Sequence, residues 1–287
     1  MLVHIKKIVP RARKKSLAIG AFNTSNLEVT LAIIRAASLQ KSSVIIQSSE
    51  STIKYAGLKT LVAMVKSISE TDGKNVAIAL HLDHGKDFDL IKECIAYGFS
   101  SVQFDGSELP FEKNIELTAK IADYAHDRGV WIQGELGAMA GKEGISANNL
   151  PGDLKSLMTN PAEVKEFVKK TKVDTLAVSV GTIHGCFKGI EKIDYERIRQ
   201  INKMANKPLV LHGASGNNPQ SLKKAIDSGI SIINIDTDIR IAFTKSLQTT
   251  LSNKINYYDP RKILTPSIES MIKEVSNKIK IFGSDKI

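Results

Sequence analysis

The residues best suited to chemistry in this sequence stand at the end of one apolar run. The run Val76–Leu82 has the character of a buried β-strand, and it leads directly into Asp83 and His84, with His81 three residues before His84. Core packing does not require this cluster, whereas proton transfer and metal binding both use carboxylates and imidazoles. The sequence therefore predicts a functional site at the carboxyl end of this strand.

Two further histidines share the setting of His84. His84, His184 and His212 each follow an apolar run and each precede a glycine. Three neutral imidazoles around a zinc ion leave one coordination position open, which is the arrangement of a catalytic metal site. These three residues are therefore predicted metal ligands. His81 is expected to point away from the metal, because strand side chains alternate.

Three carboxylates are placed to act beside such a metal. Asp83 adjoins a predicted ligand, so it could accept a proton from a bound substrate or orient an imidazole. Asp105 and Glu135 also end apolar runs, and they could be outer partners of the ligands or form a second cation site. The residues alone leave these alternatives open.

The elements that must position these side chains recur eight times. Short runs rich in Val, Ile and Leu alternate with amphipathic patterns such as Leu27, Leu31 and Ile34. Eight such units in 287 residues predict a single α/β domain, residues 1–287, with the (β/α)₈ TIM-barrel fold. The predicted strands are Leu17–Phe22, Val44–Gln47, Val76–Leu82, Ser101–Phe104, Val130–Gln133, Thr175–Val180, Leu209–Leu211 and Ile232–Ile235.

Two segments fall outside this repeat. Residues 137–160 are rich in Gly and Asn and have little apolar periodicity, which predicts a long mobile active-site loop over the barrel mouth. Residues 259–282 predict a C-terminal helical extension beyond the eighth unit.

Polar residues follow nearly every predicted strand, and in a barrel the carboxyl ends of the strands meet at one mouth. Asn23 and Ser49 are examples. Glycine-bearing or polar turns at Gly185–Gly189, Gly213–Gly216 and Asn234–Thr237 are typical of a phosphate site built from backbone N–H groups and a helix N-terminus.

Composition limits the other function classes. The sequence has no apolar stretch of membrane-spanning length, and its basic N-terminus lacks the apolar core of a secretory signal, so a cytoplasmic protein without a membrane partner is expected. Its two cysteines suit a reducing compartment. The net charge of +10 comes from scattered lysines with few interleaved aromatic residues, so no nucleic-acid partner is expected. A basic binding protein for an anionic surface stays as a separate, non-enzymatic alternative.

The polar strand ends form six ordered motifs. They are His81-Leu-Asp-His-Gly85, Asp105-Gly-Ser107, Glu135-Leu-Gly137, His184-Gly-x-x-Lys188-Gly189, Leu211-His-Gly-Ala-Ser-Gly216 and Asn234-Ile-Asp-Thr237. In order and spacing they resemble class II, metal-dependent fructose-bisphosphate aldolases, over essentially the whole chain.

The resemblance implies reversible cleavage of fructose 1,6-bisphosphate to dihydroxyacetone phosphate and glyceraldehyde 3-phosphate through a zinc-stabilised enediolate, a reaction of glycolysis and gluconeogenesis. It implies zinc on His84, His184 and His212. It also implies two catalytic residues: Asp83, which handles the C4 hydroxyl proton, and Glu143, which exchanges the proton on the carbon beside the ketone.

The resemblance further implies a homodimer or larger homo-oligomer and a potassium or sodium ion near one phosphate. Arg261 would reach the substrate from a neighbouring subunit. The other residues implied in binding the substrate and its phosphates are Asn23, Ser49, Gly185, Lys188, Gly213, Ser215, Asn234, Asp236 and Thr237.

The chain departs from the family pattern in its loop, which has Ala140-Gly-Lys-Glu-Gly144 in place of Gly-Gly-x-Glu-Asp. Glu143 is kept and the neighbouring acid is lost, a change that could alter loop motion or lower activity.

Two other enzymes are alternatives. Tagatose-bisphosphate aldolases are similar at His212-Gly-Ala-Ser and Ile241-Ala-Phe, although Asp236 favours fructose 1,6-bisphosphate. A zinc hydrolase on the same barrel would commonly take a His-x-His pair from the first strand, which here ends Ala21-Phe-Asn23.

Overall fold

The strands lie almost where the apolar runs predict them. The computed structural model describes residues 1–147, 154–187, 193–253 and 258–286, except for the side chains of residues 142–147, 186, 187 and 286. All eight predicted strands are found, with ends shifted by at most three residues. The strands of the described chain are β1 (Ile19–Asn23), β2 (Val44–Ser49), β3 (Ile78–Gly85), β4 (Ser101–Phe104), β5 (Trp131–Leu136), β6 (Ala140–Ala147), β7 (Thr175–Val178), β8 (Ile183–Phe187), β9 (Leu209–Leu211) and β10 (Ile230–Ile235).

Eight of these strands close into a barrel, which confirms the predicted fold. Their order around the barrel is β1, β10, β9, β7, β5, β4, β3, β2. Every pair is parallel, so all carboxyl ends open at the same rim. The register places Ser49 beside Asp83 and Asn23 beside Gln47 at that rim.

Helices connect the strands and cover the outside of the barrel. Their apolar faces pack on the outward side chains of the strands, such as Phe22, Ile46 and Leu82, in one continuous core. The described α-helices are α1 (Val9–Lys14), α2 (Leu27–Gln40), α3 (Glu50–Ala56), α4 (Leu58–Thr71), α5 (Phe88–Ala96), α6 (Phe111–His126), α7 (Leu154–Leu157), α8 (Pro161–Thr171), α9 (Tyr195–Ala205), α10 (Pro219–Ser228), α11 (Thr237–Ser252) and α12 (Pro260–Phe282). None of them is both long and apolar enough to cross a membrane.

The interior of the barrel is apolar at its amino end and polar at its carboxyl end. Ile8 and Val9, at the start of the chain, close the amino end by packing on Ala79 and Ile232, and Trp131 contacts this cluster from the first position of β5. Towards the carboxyl end the buried interior residues are mostly polar, and they include Gln47, His81, Gln103, Gln133 and Asn234. Buried polar groups need partners, so this end of the barrel is a hydrogen-bonded network rather than a hydrocarbon core.

The described part of the segment 137–160 contains more regular structure than the sequence indicated. It contains β6 and the short helix α7, and β6 pairs in parallel with β8 as a separate two-stranded sheet. The register sets Gly141 opposite His184. The sequence of β6 contains two glycines and lacks the apolar alternation by which strands are recognised in a sequence.

The predicted C-terminal helix is present as α12. The Asp259 side chain accepts a hydrogen bond from the backbone N–H of Arg261, Pro260 occupies the first turn, and Gly283 ends the helix with a φ of 74°. These are the residues expected at helix ends. Met271, Val275 and Ile279 of this helix are buried in the main core. The helix is therefore an integral part of the barrel wall.

Candidate active site

Three histidines meet at the carboxyl rim of the barrel. His84 lies at the end of β3, His212 directly after β9, and His184 on β8 rather than at the end of a barrel strand. Nε2 of His84 is 3.0 Å from Nδ1 of His212. The ring centroids of His84 and His184 are 5.1 Å apart, and those of His184 and His212 are 5.8 Å apart. One nitrogen from each ring lies within 4.8 Å of the other two, so this histidine cluster could hold a metal ion.

An irregularity in β3 turns His84 towards the cluster. His84 has a φ of 50°, in the left-handed region that few residues other than glycine adopt. The pairing of β3 with β4 shifts register between Leu82 and Gly85, and the backbone N–H of His84 donates to Oε1 of Gln103 at 2.9 Å. A regular strand would send Asp83 and His84 to opposite faces. The irregularity therefore allows both neighbours to serve one site.

Two carboxylates contact His84 on the side away from the cluster. Nδ1 of His84 lies 2.9 Å from Oδ2 of Asp105 and 3.8 Å from Oε2 of Glu135. Ser107 donates to the other oxygen of Asp105, and Gln103 donates to Glu135. The Asp105 contact fixes the ring so that Nε2 faces the other histidines. His84, Asp105 and Glu135 also bring ligand atoms within 4.8 Å of one another, so the predicted second cation position has suitable geometry.

These two carboxyl groups differ in protonation. Burial would raise the pKa of Asp105, but its hydrogen bond with His84 brings the pKa far below the usual range. Burial, together with the charge of Asp105, raises the pKa of Glu135 to about 8. At neutral pH the metal-free site therefore contains an ionised Asp105 beside a mostly protonated Glu135.

Asp83 is fully buried and held by two amides. Nδ2 of Asn23 donates to its Oδ2 at 2.8 Å, and Nδ2 of Asn234 donates to its Oδ1 at 3.3 Å. Burial alone would raise the pKa of Asp83, but the charge of His84 lowers it below its usual value. The carboxylate is thus ionised, fixed in orientation and 4.0 Å from Nε2 of His84.

The protonation states of the three histidines are compatible with the binding of a metal cation. Burial and the charge of His84 lower the pKa of His184 to about 4, and burial lowers the pKa of His212 well below its usual value. Burial also opposes a charge on His84, but Asp83 and Asp105 raise its pKa to about 10. Two neutral imidazoles therefore surround a single protonated one. A divalent metal ion could replace that proton and use all three as ligands.

The predicted phosphate-binding residues line a small hollow beside the cluster. Gly185, Gly213, Ser215, Asn234, Asp236 and Thr237 lie around it, together with Asn23. The backbone N–H of Asp238 donates to Oγ of Ser215, which joins the loop after β9 to the first turn of α11. The loop after β9 and the N-terminus of α11 therefore meet in one place, which is the arrangement of helix-terminus phosphate sites.

Gly213 needs to be glycine. Its φ is 64°, and an added Cβ would lie 2.5 Å from the carbonyl oxygen of Ile183, the residue before His184. The loop after β9 is thus packed directly on the backbone of β8. Thr182 adds a second link by donating to the carbonyl oxygen of His212 at 2.7 Å.

A larger cleft of about 480 Å³ opens on the other side of the cluster. His84 and His184 form its inner wall, and Ser49 and Lys54 lie along it. Arg261 does not line either cleft of its own chain; its side chain is 90% exposed and pairs with Asp259 at 2.8 Å.

Two predicted residues, Glu143 and Lys188, lie partly or wholly outside the described part of the structure. Glu143 lies on the described backbone of β6, but its side chain is outside the described part of the structure, and Lys188 lies outside it altogether. The structure therefore brings together the other predicted ligands, carboxylates and phosphate-binding residues, except for Arg261.

Sequence reasoning missed the buried amides that support the site. Gln47 donates to Oδ1 of Asn23 at 2.7 Å, which leaves the amide nitrogen of Asn23 to donate to Asp83. Gln103 contacts both His84 and Glu135. The available signal was a glutamine at an inward position of an otherwise apolar strand, since a buried amide must find partners.

The comparisons with known proteins agree with this geometry. The family model described as class II fructose-bisphosphate aldolase matches residues 3–286. The chain belongs to this family. As a class II aldolase it is a carbon–carbon lyase that acts on a sugar bisphosphate.

Curated relatives cover almost the whole chain. The fructose-bisphosphate aldolase of Geobacillus stearothermophilus is 40% identical over 284 residues, 99% of this chain and 97% of that protein. The probable fructose-bisphosphate aldolase of Bacillus subtilis is 39% identical over 285 residues, 99% of this chain and 98% of that protein. These relatives do not favour the tagatose alternative.

A solved structure shares the fold. The crystal structure of the YdjI aldolase from Escherichia coli K12 aligns with a TM-score of 0.86 and 29% identity, over 99% of this chain and 98% of that one.

Proposed function

We propose that this class II aldolase uses zinc to cleave fructose 1,6-bisphosphate reversibly to dihydroxyacetone phosphate and glyceraldehyde 3-phosphate. The observation that carries the proposal is the histidine cluster, which lies beside both an ionised, buried Asp83 and a hollow lined by the predicted phosphate-binding residues. A substrate with a phosphate at the hollow would present its carbonyl region to the cluster.

His84, His184 and His212 would hold the zinc. Once the metal displaced the proton of His84, they would offer three imidazole nitrogens and leave one coordination position open, as in catalytic zinc sites. When bound, zinc would act as a Lewis acid and stabilise the negative charge that builds up beside the ketone as the carbon–carbon bond breaks. This role requires no lysine Schiff base.

Asp83 would take the proton from the C4 hydroxyl in the cleavage direction. Its pKa below the usual range keeps it ionised, and the amides of Asn23 and Asn234 fix the direction of both oxygens. A proton acceptor must lie within hydrogen-bond reach of its donor, and this fixed orientation favours that geometry. In the reverse direction Asp83 returns the proton to the new hydroxyl.

Glu143 would exchange the proton on the carbon beside the ketone. This role rests on the resemblance, and the pairing of β6 with β8 supports it. Gly141 lies opposite His184 in that pairing, so the backbone two residues before Glu143 is held at the cluster. Closure of the β6 segment would exclude water from the reacting carbon.

The substrate's two phosphates would bind on opposite sides of the cluster. The hollow near Gly213 and Ser215 would hold one, with Lys188 as a further ligand, and Ser49 would meet the other in the larger cleft. Arg261 of a neighbouring subunit would complete that second subsite. Its 90% exposed side chain at the start of α12 supports a homodimer or larger homo-oligomer.

A potassium or sodium ion would bind near the first phosphate. Oδ1 of Asn234 and Oδ2 of Asp236 are buried oxygens without a hydrogen-bond partner among the described residues. Hard cations prefer oxygen ligands of this kind.

A cytoplasmic location is also proposed, in keeping with a soluble glycolytic substrate.

The test is retro-aldol cleavage of fructose 1,6-bisphosphate beside tagatose 1,6-bisphosphate, by zinc-loaded protein and by protein treated with a chelator. Faster cleavage of the fructose epimer that is lost with chelator and restored by zinc is expected. Preference for tagatose would transfer the protein to the sister activity. Zinc-loaded, folded protein that cleaves neither substrate would refute the proposal.

A further inference from the structure

Lys278 is a buried cation that lies away from the catalytic groups. It is on α12, and only 7% of its side chain is exposed. A lysine is almost never this buried unless it is paired. Its Nζ lies 2.5 Å from Oδ2 of Asp238 and 3.4 Å from Oε1 of Glu274. Asp238 is the second residue of α11 and is itself only 15% exposed.

Asp238 connects the two halves of the proposed phosphate site. Both of its carboxylate oxygens lie 3.1 Å from the backbone nitrogen of Gly216, in the loop after β9. Its own backbone N–H donates to Oγ of Ser215 at 3.3 Å. One residue of the first turn of α11 therefore holds the loop after β9 by two separate hydrogen-bonding groups.

The negative charge of Asp238 should weaken the binding of an anion at the proposed phosphate site. A carboxylate beside an anion site repels the anion, and it also reduces the positive field of the helix N-terminus. Lys278 is the cation that pairs with this carboxylate in the described structure, and α12 is buried against the main core along Met271, Val275 and Ile279. The ammonium group of Lys278 is thus held in position by a helix that is itself packed in the core.

We propose that Lys278 and Asp238 are positioning residues for phosphate binding: Asp238 fixes the loop Gly213–Gly216 against α11, and Lys278 neutralises Asp238 so that the loop can accept an anion. The inference rests on the proposed phosphate subsite. It gives the C-terminal helix a part in substrate binding although the helix contributes no group to the hollow.

The experiment compares four zinc-loaded variants with the wild-type protein: Lys278→Met, Lys278→Arg, the double variant Lys278→Met with Asp238→Asn, and Lys280→Met. Lys280 is an exposed lysine on the same helix and serves as the matched control. KM and kcat for fructose 1,6-bisphosphate are measured, together with the zinc content. The rise in melting temperature caused by inorganic phosphate gives phosphate affinity without turnover.

Lys278→Met is expected to raise KM and weaken phosphate binding by about tenfold or more, with a smaller change in kcat and full zinc content, because a charge-assisted pair is lost beside the anion. The double variant should recover most of this loss, since the Asp238→Asn change keeps an acceptor for the N–H of Gly216 but removes the charge. Lys278→Arg and Lys280→Met should behave like the wild-type protein.

Equal losses in Lys278→Met and the double variant would overturn the neutralising role. Unchanged phosphate affinity in Lys278→Met would overturn the proposal as a whole. If Lys278→Met does not fold, the double variant decides: phosphate affinity near that of the wild-type protein supports the proposal, and weak affinity refutes it. Because phosphate binding is measured without turnover, an inactive wild-type protein would refute the aldolase function and still leave this test valid.

Discussion

At the residue scale, the site depends on one histidine that breaks the rule of its strand. Ala79 belongs to the barrel interior, so alternation places His81 and Asp83 on the same inner face. His84 should then face outward, and its φ of 50° prevents this. The sequence predicted His84 as a metal ligand, but strand alternation could not predict that its side chain turns towards the histidine cluster, because the irregularity of β3 depends on contacts with a neighbouring strand.

The first prediction concerns the partner of His84. Asp105→Asn should lower the affinity for zinc about 10- to 100-fold, because the ligand loses the charged acceptor that orients it and makes it more basic. Competition with a chromophoric chelator measures the affinity. Asp227→Asn, an exposed change on α10, is the control. Equal zinc affinity in the two variants would show that Asp105 does not support the metal.

A second prediction concerns the acid sensitivity of the zinc-free protein. Burial lowers the pKa of His81 to about 4, whereas an unfolded histidine titrates near 6.5. Between these values the unfolded chain binds the additional proton, so stability falls as the pH decreases from 6.5 towards 4. From pH 7 to pH 5, His81 alone should remove about 2 kcal/mol of unfolding free energy.

Urea unfolding at both pH values, with chelator present, checks this prediction by comparing the wild-type protein with His81→Gln. The variant should lose about 2 kcal/mol less than the wild-type protein over this interval, whatever its absolute stability. The same loss in both proteins would mean that His81 takes up its proton over the same pH range in the folded and the unfolded chain, and so would refute the lowered pKa.

At the element scale, the loop after β9 and strand β8 support each other. Gly213 and Gly216 both have a positive φ, but an added Cβ at Gly213 meets the Ile183 carbonyl at 2.5 Å, whereas nothing lies within 4 Å of one at Gly216. Gly216→Ala should therefore cost only the backbone strain, about 1–2 kcal/mol. Gly213→Ala should cost more and should also weaken zinc binding, since Ile183 precedes His184.

Thermal unfolding and zinc affinity of the two alanine variants give the comparison. The strain of a positive φ is common to both, so the difference between them isolates the contact with β8. If both variants bind zinc equally well, the contact with Ile183 does not position His184.

The sequence predicted the strands of the barrel but not the additional strand β6. The barrel strands could be predicted because each contains a short apolar segment and is buried on both faces. The strand β6 could not, since its sequence Ala140–Ala147 contains two glycines and no apolar alternation; in the structure it pairs with β8. His184 was predicted from its glycine neighbour, yet its position depends on this same unpredicted pair.

At the scale of the whole molecule, the proposed subunit arrangement gives a fourth prediction. If Arg261 acts on the neighbouring subunit, each active site combines Asp83 of one chain with Arg261 of the other. Asp83→Asn and Arg261→Ala then remove groups that different chains contribute to the same site. Each variant alone should form a weakly active homodimer. A heterodimer of the two contains one site with both natural residues and should recover about half of the wild-type activity per dimer.

Co-expression with two different affinity tags yields the heterodimer for this assay. The same heterodimer prepared from Asp83→Asn and Lys262→Ala, an exposed neighbour of Arg261, is the control and should also keep one intact site. Without recovery in the Arg261 heterodimer, Arg261 would have to act within its own chain or not at all.

The position of the tryptophan at the apolar end of the barrel determines which structural changes alter the intrinsic fluorescence. Trp131 is the single tryptophan of the chain, and it begins β5 against the apolar amino end. Glu135, at the site, lies four residues further along the same strand, so at about 3.3 Å per residue roughly 13 Å of strand separate the backbone positions of Trp131 and Glu135. The intrinsic fluorescence should therefore change when the apolar amino end of the barrel unfolds. It should stay the same when substrate binds at the carboxyl rim.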